Sequence, residues 1–184
     1  MITMKDVIYD PHPLLRKISN KVQIPLVDED IELMRKMEEF LINSQNPKTA
    51  RKYKLREGVG LAAPQINKDK RIIAIRVTDE KNELHECVIA NPKIISHSEE
   101  LAYLDGGEGC LSVKKNIPGI VPRYRRIIIS GYDINNNPIQ IKAKNYIAIV
   151  FQHEMDHLDG KLFYDRINKN NPMMPPANAH AITF

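Results

Sequence analysis

The sequence predicts an α+β fold in which antiparallel or mixed β-sheets pack around a central helix. One further long helix lies near the N-terminus, and the C-terminus is helix-poor. Three observations predict this. The elements run helix, strands, helix, without the strand–helix alternation that builds parallel sheets. The second helix is apolar on both sides of its polar segment, as a buried helix must be. Pro172, Pro175 and Pro176 exclude a third long helix at the C-terminal end. A chain of 184 residues, 42% hydrophobic and 27% charged, has ordinary globular composition, which excludes a disordered or fibrous protein. It reads as a single domain over 1–184. The absence of a repeat excludes solenoids and propellers.

Residues 1–27 form an irregular arm, broken by Pro11, Pro13 and Pro25. The first helix spans Asp28 to Asn43, with acids in its first turn and Ile31, Met34, Met37, Phe40 and Leu41 at helical spacing. The polar, basic stretch 44–57 reads as a surface insertion. Arg71–Val77 and His85–Ala90 are β-branched strands joined by a polar turn at Asp79–Asn82. Lys93–Ser98 and Leu101–Leu104 extend that sheet. Arg126–Tyr132 and Ile139–Ala143 form a hairpin around Asn135-Asn136-Asn137-Pro138. The second helix covers Asn145–Asp159 and stops at Gly160. Residues 168–184 read as an extended tail.

Met1 to Asp6 contain an acid and no apolar run, so no signal peptide is expected. The longest apolar stretch, Tyr146–Phe151, is far shorter than the ~18 residues a membrane helix needs. The expected location is the cytoplasm, with no membrane partner. There Cys87 and Cys110 stay reduced. A net charge of +4 gives weak attraction to polyanions, but no nucleic-acid motif accompanies it. The basic runs Arg51-Lys52-Tyr53-Lys54 and Arg123–Arg126 read as solvated surface.

His153-Glu154-Met155-Asp156-His157 is the strongest chemical signal. The four-residue spacing stacks both imidazoles on one helix face, where they can share a metal ion. Glu154 then lies beside the metal position, where a general base belongs. Ile149, Val150 and Phe151 before the motif and Leu158 after it suit a buried helix rather than a surface one. A third ligand is required. A histidine six residues beyond the second is excluded because position 163 is Phe, no Glu follows His157, and Asp159 and Asp165 are close in sequence without sitting in an obvious second helix. The ligand therefore lies N-terminal to the helix. Cys110, in Gly106-Gly107-Glu108-Gly109-Cys110-Leu111-Ser112, is the best candidate, because its glycines let the backbone bend tightly around an ion. Cys87, in a strand, reads as a packed thiol.

Three segments together resemble the peptide deformylases: Gly58-Val59-Gly60-Leu61-Ala62-Ala63-Pro64-Gln65, Glu108-Gly109-Cys110-Leu111-Ser112 and Gln152-His153-Glu154-Met155-Asp156-His157-Leu158. The resemblance covers roughly Met1 to Asn168. The 44–57 insertion and the helix-poor C-terminus resemble the second bacterial type, found in Gram-positive bacteria. The family removes the formyl group from the N-terminal methionine of nascent chains. The resemblance implies that Cys110, His153 and His157 hold one divalent ion, with a water in the fourth position. Glu154 would act as general base and then acid. The Gln65 side-chain amide and the Leu111 backbone N–H would face the oxyanion. Gly58, Val59, Gly60 and Gly109 would flank the peptide, and Val59, Leu111, Ile149 and Val150 would line the methionine pocket. The family's usual ion is ferrous iron. A Cys-His-His set also suits Zn(II), Ni(II) or Co(II). The implied partners are N-formyl-methionyl nascent peptides, and the positive charge is compatible with ribosome association.

Two other functions fit parts of the pattern. A generic metallopeptidase would cleave internal peptide bonds, but a cysteine ligand points away from the helix-based peptidases. A structural metal protein would need neither Glu154 nor Gln65.

Overall fold

The computed structural model describes residues 1–183. Its core is a five-stranded antiparallel sheet. The strands are β1 (Gly60–Ala62), β2 (Ile72–Thr78), β3 (Leu84–His97), β6 (Arg126–Tyr132) and β7 (Pro138–Lys144), adjacent in the order β1-β2-β3-β6-β7. A second sheet has three strands, with β4 (Leu101–Leu104) between β5 (Arg123–Tyr124) and β8 (Ala179–Ile182). The β4–β8 pair is parallel, with Leu101 opposite Ala179 and Leu104 opposite Ile182. The helices are α1 (Asp28–Gln45), α2 (Pro47–Tyr53) and α3 (Asn145–Leu158). The mixed α+β architecture is the expected one.

Strand side chains alternate between faces, and β2 uses both. Ile72 and Ala74 pack with Leu33, Met34, Met37, Phe40 and Leu41 of α1. Ile73, Ile75 and Val77 pack with Ile147, Val150, Phe151, Met155 and Leu158 of α3. The sheet is thus sandwiched between the two long helices, which is why β2 is an almost unbroken apolar run. On α1 the buried stripe runs through Leu33, Met34, Met37, Phe40, Leu41 and Ser44, while Ile31 is only half-buried. The buried Asp30 accepts from Lys70 Nζ at 2.5 Å and anchors the start of the helix.

Three elements depart from expectation. The segments 85–90 and 93–98 are one strand, β3, whose register against β6 shifts between Ala90 and Lys93 and again between Ile94 and Ser96. Asn91, at φ 51°, and Pro92 sit at the first shift. A bulge lets the strand carry a proline without breaking. Leu101–Leu104 does not extend the first sheet; it founds the second, because its partners Tyr124 and Ala179 are remote in sequence. Within 44–57, Asn46 Oδ1 accepts from the backbone N–H of Lys48 and Thr49, and Pro47 takes the first helical position. That N-cap and N1 proline start α2, which has no buried residue and ends at Lys54 with φ 53°.

Helix α3 stops where expected. Gly160 has φ +67°, and a Cβ there would lie 2.6 Å from the Arg16 carbonyl oxygen, so glycine is needed for both conformation and space. The Gln152 amide ties α3 to the second sheet: Oε1 accepts from Tyr124 N and Nε2 donates to Tyr124 O, each at 2.9 Å.

Candidate metal centre

Cys110 follows the loop after β4, and His153 and His157 lie one turn apart on α3. One donor atom from each lies within 4.8 Å of the others. Cys110 Sγ and His157 Nε2 are 3.3 Å apart. Two such donors bonded tetrahedrally to one ion at ordinary Zn–S and Zn–N lengths would stand ~3.5 Å apart. Cys110 and His157 are buried, and His153 is half-buried. Burial opposes ionisation of Cys110, but the neighbouring His157 and His153 hold its thiol well below the usual range. A thiolate between two imidazoles is a donor set suited to a divalent transition metal. Two buried atoms here also lack a hydrogen-bond partner among the described residues: His157 Nδ1 and Glu154 Oε2.

His153 is oriented from behind. Its Nδ1 lies 2.7 Å from Glu108 Oε2. Glu108 accepts from Arg123 Nε at 2.5 Å and from Arg123 Nη2 at 2.8 Å. Arg123 Nη1 donates to Asp156 Oδ2 at 2.9 Å, and Arg166 donates to both Asp156 oxygens. Burial works against the Glu108 carboxylate, yet Arg123 and His153 hold its pKa down at about 2. It therefore accepts the Nδ1–H and leaves Nε2 of His153 free for a metal. Arg123 is wholly buried, contrary to the reading of 123–126 as solvated surface. The run divides because β5 turns Arg123 inward between two carboxylates while Arg126 stays exposed. Glu108, Arg123, Asp156 and Arg166 were not singled out from sequence. Only the place of Glu108 two residues before Cys110 and of Asp156 inside the His motif could have suggested two of them.

Above the three donors opens a cavity of about 410 Å³. Gly58, Val59, Gly60, Gln65, Gly109, Leu111, Ile149, Val150 and Glu154 line it with Cys110 and His153, while His157 lies behind them. Arg56, Glu57, Leu104, Glu108 and Tyr146 also line it and were not anticipated. Gln65 Oε1 accepts from Ala62 N at 2.8 Å, so its Nε2 is left to face Cys110 Sγ at 3.5 Å and Ser112 Oγ at 3.3 Å. Arg56 Nη1 donates to Leu111 O at 3.2 Å. Burial pushes the Glu154 carboxyl up to about 7, although both histidines pull it down. Asp79, Glu83 and His85 form a second close group at the β2–β3 turn, but Asp79 is already engaged by the N–H groups of Lys81 and Glu83.

The family model for polypeptide deformylase matches residues 4–173. Peptide deformylase 2 of Bacillus subtilis is 52% identical over 182 residues, covering 99% of each chain. The peptide deformylase of Staphylococcus epidermidis is 52% identical over 180 residues, 97% of this chain and 98% of that one. Among solved structures, a probable peptide deformylase from a Synechococcus phage superposes with a TM-score of 0.70 at 33% identity, covering 88% of this chain and 98% of that one. An Acinetobacter baumannii peptide deformylase crystallised with Met-Ala-Ser gives 0.70 at 26% identity, covering 88% and 96%.

Proposed function

The chain belongs to the polypeptide deformylase family, whose general reaction is metal-dependent removal of the N-formyl group from formylated nascent peptides, and on that premise we propose how its own residues perform it. The observation that carries the reading is the convergence of the Cys110, His153 and His157 donors, the first two of which line a cavity, beside a buried Glu154 carboxylate oxygen without a hydrogen-bond partner among the described residues. Cys110, His153 and His157 would hold one divalent ion, which would supply Lewis acidity and make water nucleophilic near neutral pH.

Glu154 takes the proton that the attacking water loses. It returns that proton to the peptide nitrogen as the formyl C–N bond breaks, so formate and a free amine leave. A carboxyl at about 7 suits both roles near neutral pH. Negative charge growing on the formyl oxygen is met by the Gln65 Nε2–H and the Leu111 backbone N–H. Loss of one such donor typically costs ~10²–10³ in turnover. The segment Gly58–Gly60, which leads into β1, pairs with the extended peptide backbone, with Gly109 opposite. Val59, Leu111, Ile149 and Val150 enclose the methionine side chain. The cavity falls in the ~300–1,000 Å³ range of small-ligand sites.

Ferrous iron, the ion usual in the family, is the proposed physiological ion, with Zn(II), Ni(II) or Co(II) able to substitute; the mixed thiolate–imidazole donor set suits all four. Work on nascent chains fits a cytoplasmic setting, and no helix among the described residues is long and apolar enough to cross a membrane. The +4 charge supports a weak, salt-dependent association with the ribosome.

The test is anaerobic. Protein purified with reductant is analysed for metals, and formate release from a formyl-Met peptide is followed on the same sample. The expected result is one equivalent of metal, loss of turnover on chelation and recovery on adding Fe(II) or Ni(II). A metal-replete protein that releases no formate, or that cleaves internal peptide bonds, would sink the reading.

A further inference from the structure

Gly60 is a glycine that its backbone does not require. It begins β1, pairs with Ile75 of β2 and is buried. It is not among the glycines with positive φ, which are Gly107, Gly119 and Gly160. What bears on it is a side chain. A Cβ at Gly60 would lie 2.3 Å from Glu154 Oε1 and 2.7 Å from both Glu154 Cδ and Cγ. Non-bonded carbons come to rest only at about 3.5 Å or more, so neither the carboxylate nor its methylene could stay. The two other glycines of the cavity differ. A Cβ at Gly109 would meet nothing within 4 Å, and one at Gly58 would touch Leu111 Cδ1 at 3.0 Å.

We infer that Gly60 is a positioning residue: the Cβ it lacks leaves the space against which β1 seats the Glu154 carboxylate. The inference rests on the role proposed for Glu154 and adds a task for β1 besides offering its edge to a peptide. Glu154 Oε2 has no hydrogen-bond partner among the described residues, so no side-chain or backbone donor there holds that oxygen and the contact with β1 is one of packing. A methyl group at position 60 pushes the carboxylate off by on the order of 1 Å, and a displacement of that size costs ~10²-fold in rate.

The two tasks of β1 separate kinetically. If Gly60 served only the approach of the peptide backbone, Gly60→Ala would raise KM for a formyl-Met peptide. If it seats Glu154, Gly60→Ala lowers kcat by ~10²-fold at unchanged metal content and nearly unchanged KM. Added to Glu154→Gln, it should then lower kcat no further. A thermal cycle reads the contact without activity. Gly60→Ala should lower the melting midpoint of the metal-loaded protein by about 2–10 °C, as overpacking does. In a Glu154→Ala background, where the space is vacated, it should lower it hardly at all. Wild-type kcat in Gly60→Ala, or equal thermal losses in both backgrounds, would overturn the inference while leaving Glu154 as the base. Normal turnover in Glu154→Gln would instead remove the base assignment and the positioning role with it, although the thermal cycle would still report the contact.

Discussion

The two cysteines show how far one side-chain type can be driven in opposite directions. Cys87, half-buried against the α3 core, is pushed up to about 12 by burial, with the Glu38 carboxylate adding to the rise. Cys110 meets the same opposition from burial, but two imidazoles overcome it. An acid whose folded pKa is raised is neutral through physiological pH and favours unfolding only as pH climbs past its unfolded value, ~8.5–9. Native Cys87 should therefore show no ionisation step in its alkylation rate between pH 7 and about 10. In chelator-treated protein, iodoacetamide should modify Cys110 at least tenfold faster than Cys87, as thiolate chemistry requires. Mass spectrometry of peptides after brief labelling at pH 8 measures both. Equal rates would mean that Cys110 lacks the environment described. The site was legible at this scale wherever a residue type is chemically scarce: two His one turn apart, one Cys among glycines. It was not legible for Arg123, because a basic run carries no mark of which member turns inward.

At the scale of elements, β5 and α3 are joined by charge. Arg123 on β5 is clamped between Glu108, which orients His153, and Asp156, which shares α3 with both histidines. Replacing Arg123 by Met keeps much of its volume but leaves the buried Glu108 carboxylate without its arginine and Asp156 with Arg166 alone. Breaking a buried pair in this way costs ~3–5 kcal/mol. Loss of the oriented Glu108–His153 contact typically weakens metal binding 10–100-fold. Urea unfolding and a chelator competition should show both losses together. Full stability with unchanged metal affinity would make the network ornamental. The same scale explains the uneven legibility of the fold. α1 and α3 were readable because their apolar periodicity is set by one neighbour, the sheet. α2 was missed although Asn46-Pro47 is a helix-start signal, because it is short and mostly polar, has no fully buried residue and packs only Ala50 against the core, so it carries no apolar stripe. Leu101–Leu104 reads as a strand, but a strand of four residues does not announce its sheet.

Across the whole molecule, the C-terminal segment returns to the site through the second sheet. β8 pairs in parallel with β4, and Leu104 at the end of β4 lines the cavity. The N–H of Leu101 also bonds to Asn178 O, and Asn178 Nδ2 donates to Glu99 O. Nothing in the composition of 168–184 predicts this, since the pairing depends on a partner some 78 residues upstream, by the register Leu101–Ala179. The donors Cys110, His153 and His157 do not depend on β8. The histidines are held by α3 against the five-stranded sheet, and His153 is braced through Arg123. Truncation after Pro176 should therefore leave metal content unchanged. It removes one of the two strands that hold β4, so Leu104 loses its fixed place at the cavity wall. The loss falls on substrate binding rather than on chemistry, which raises KM while kcat holds. A partial loss of one leucine's contact, ~1.4 kcal/mol, corresponds to a tenfold rise in KM. Steady-state kinetics on formyl-Met peptides of increasing length, with metal analysis alongside, would measure it. A truncated protein that kept KM but lost kcat or metal would place β8 in support of the ligands instead of the cavity wall.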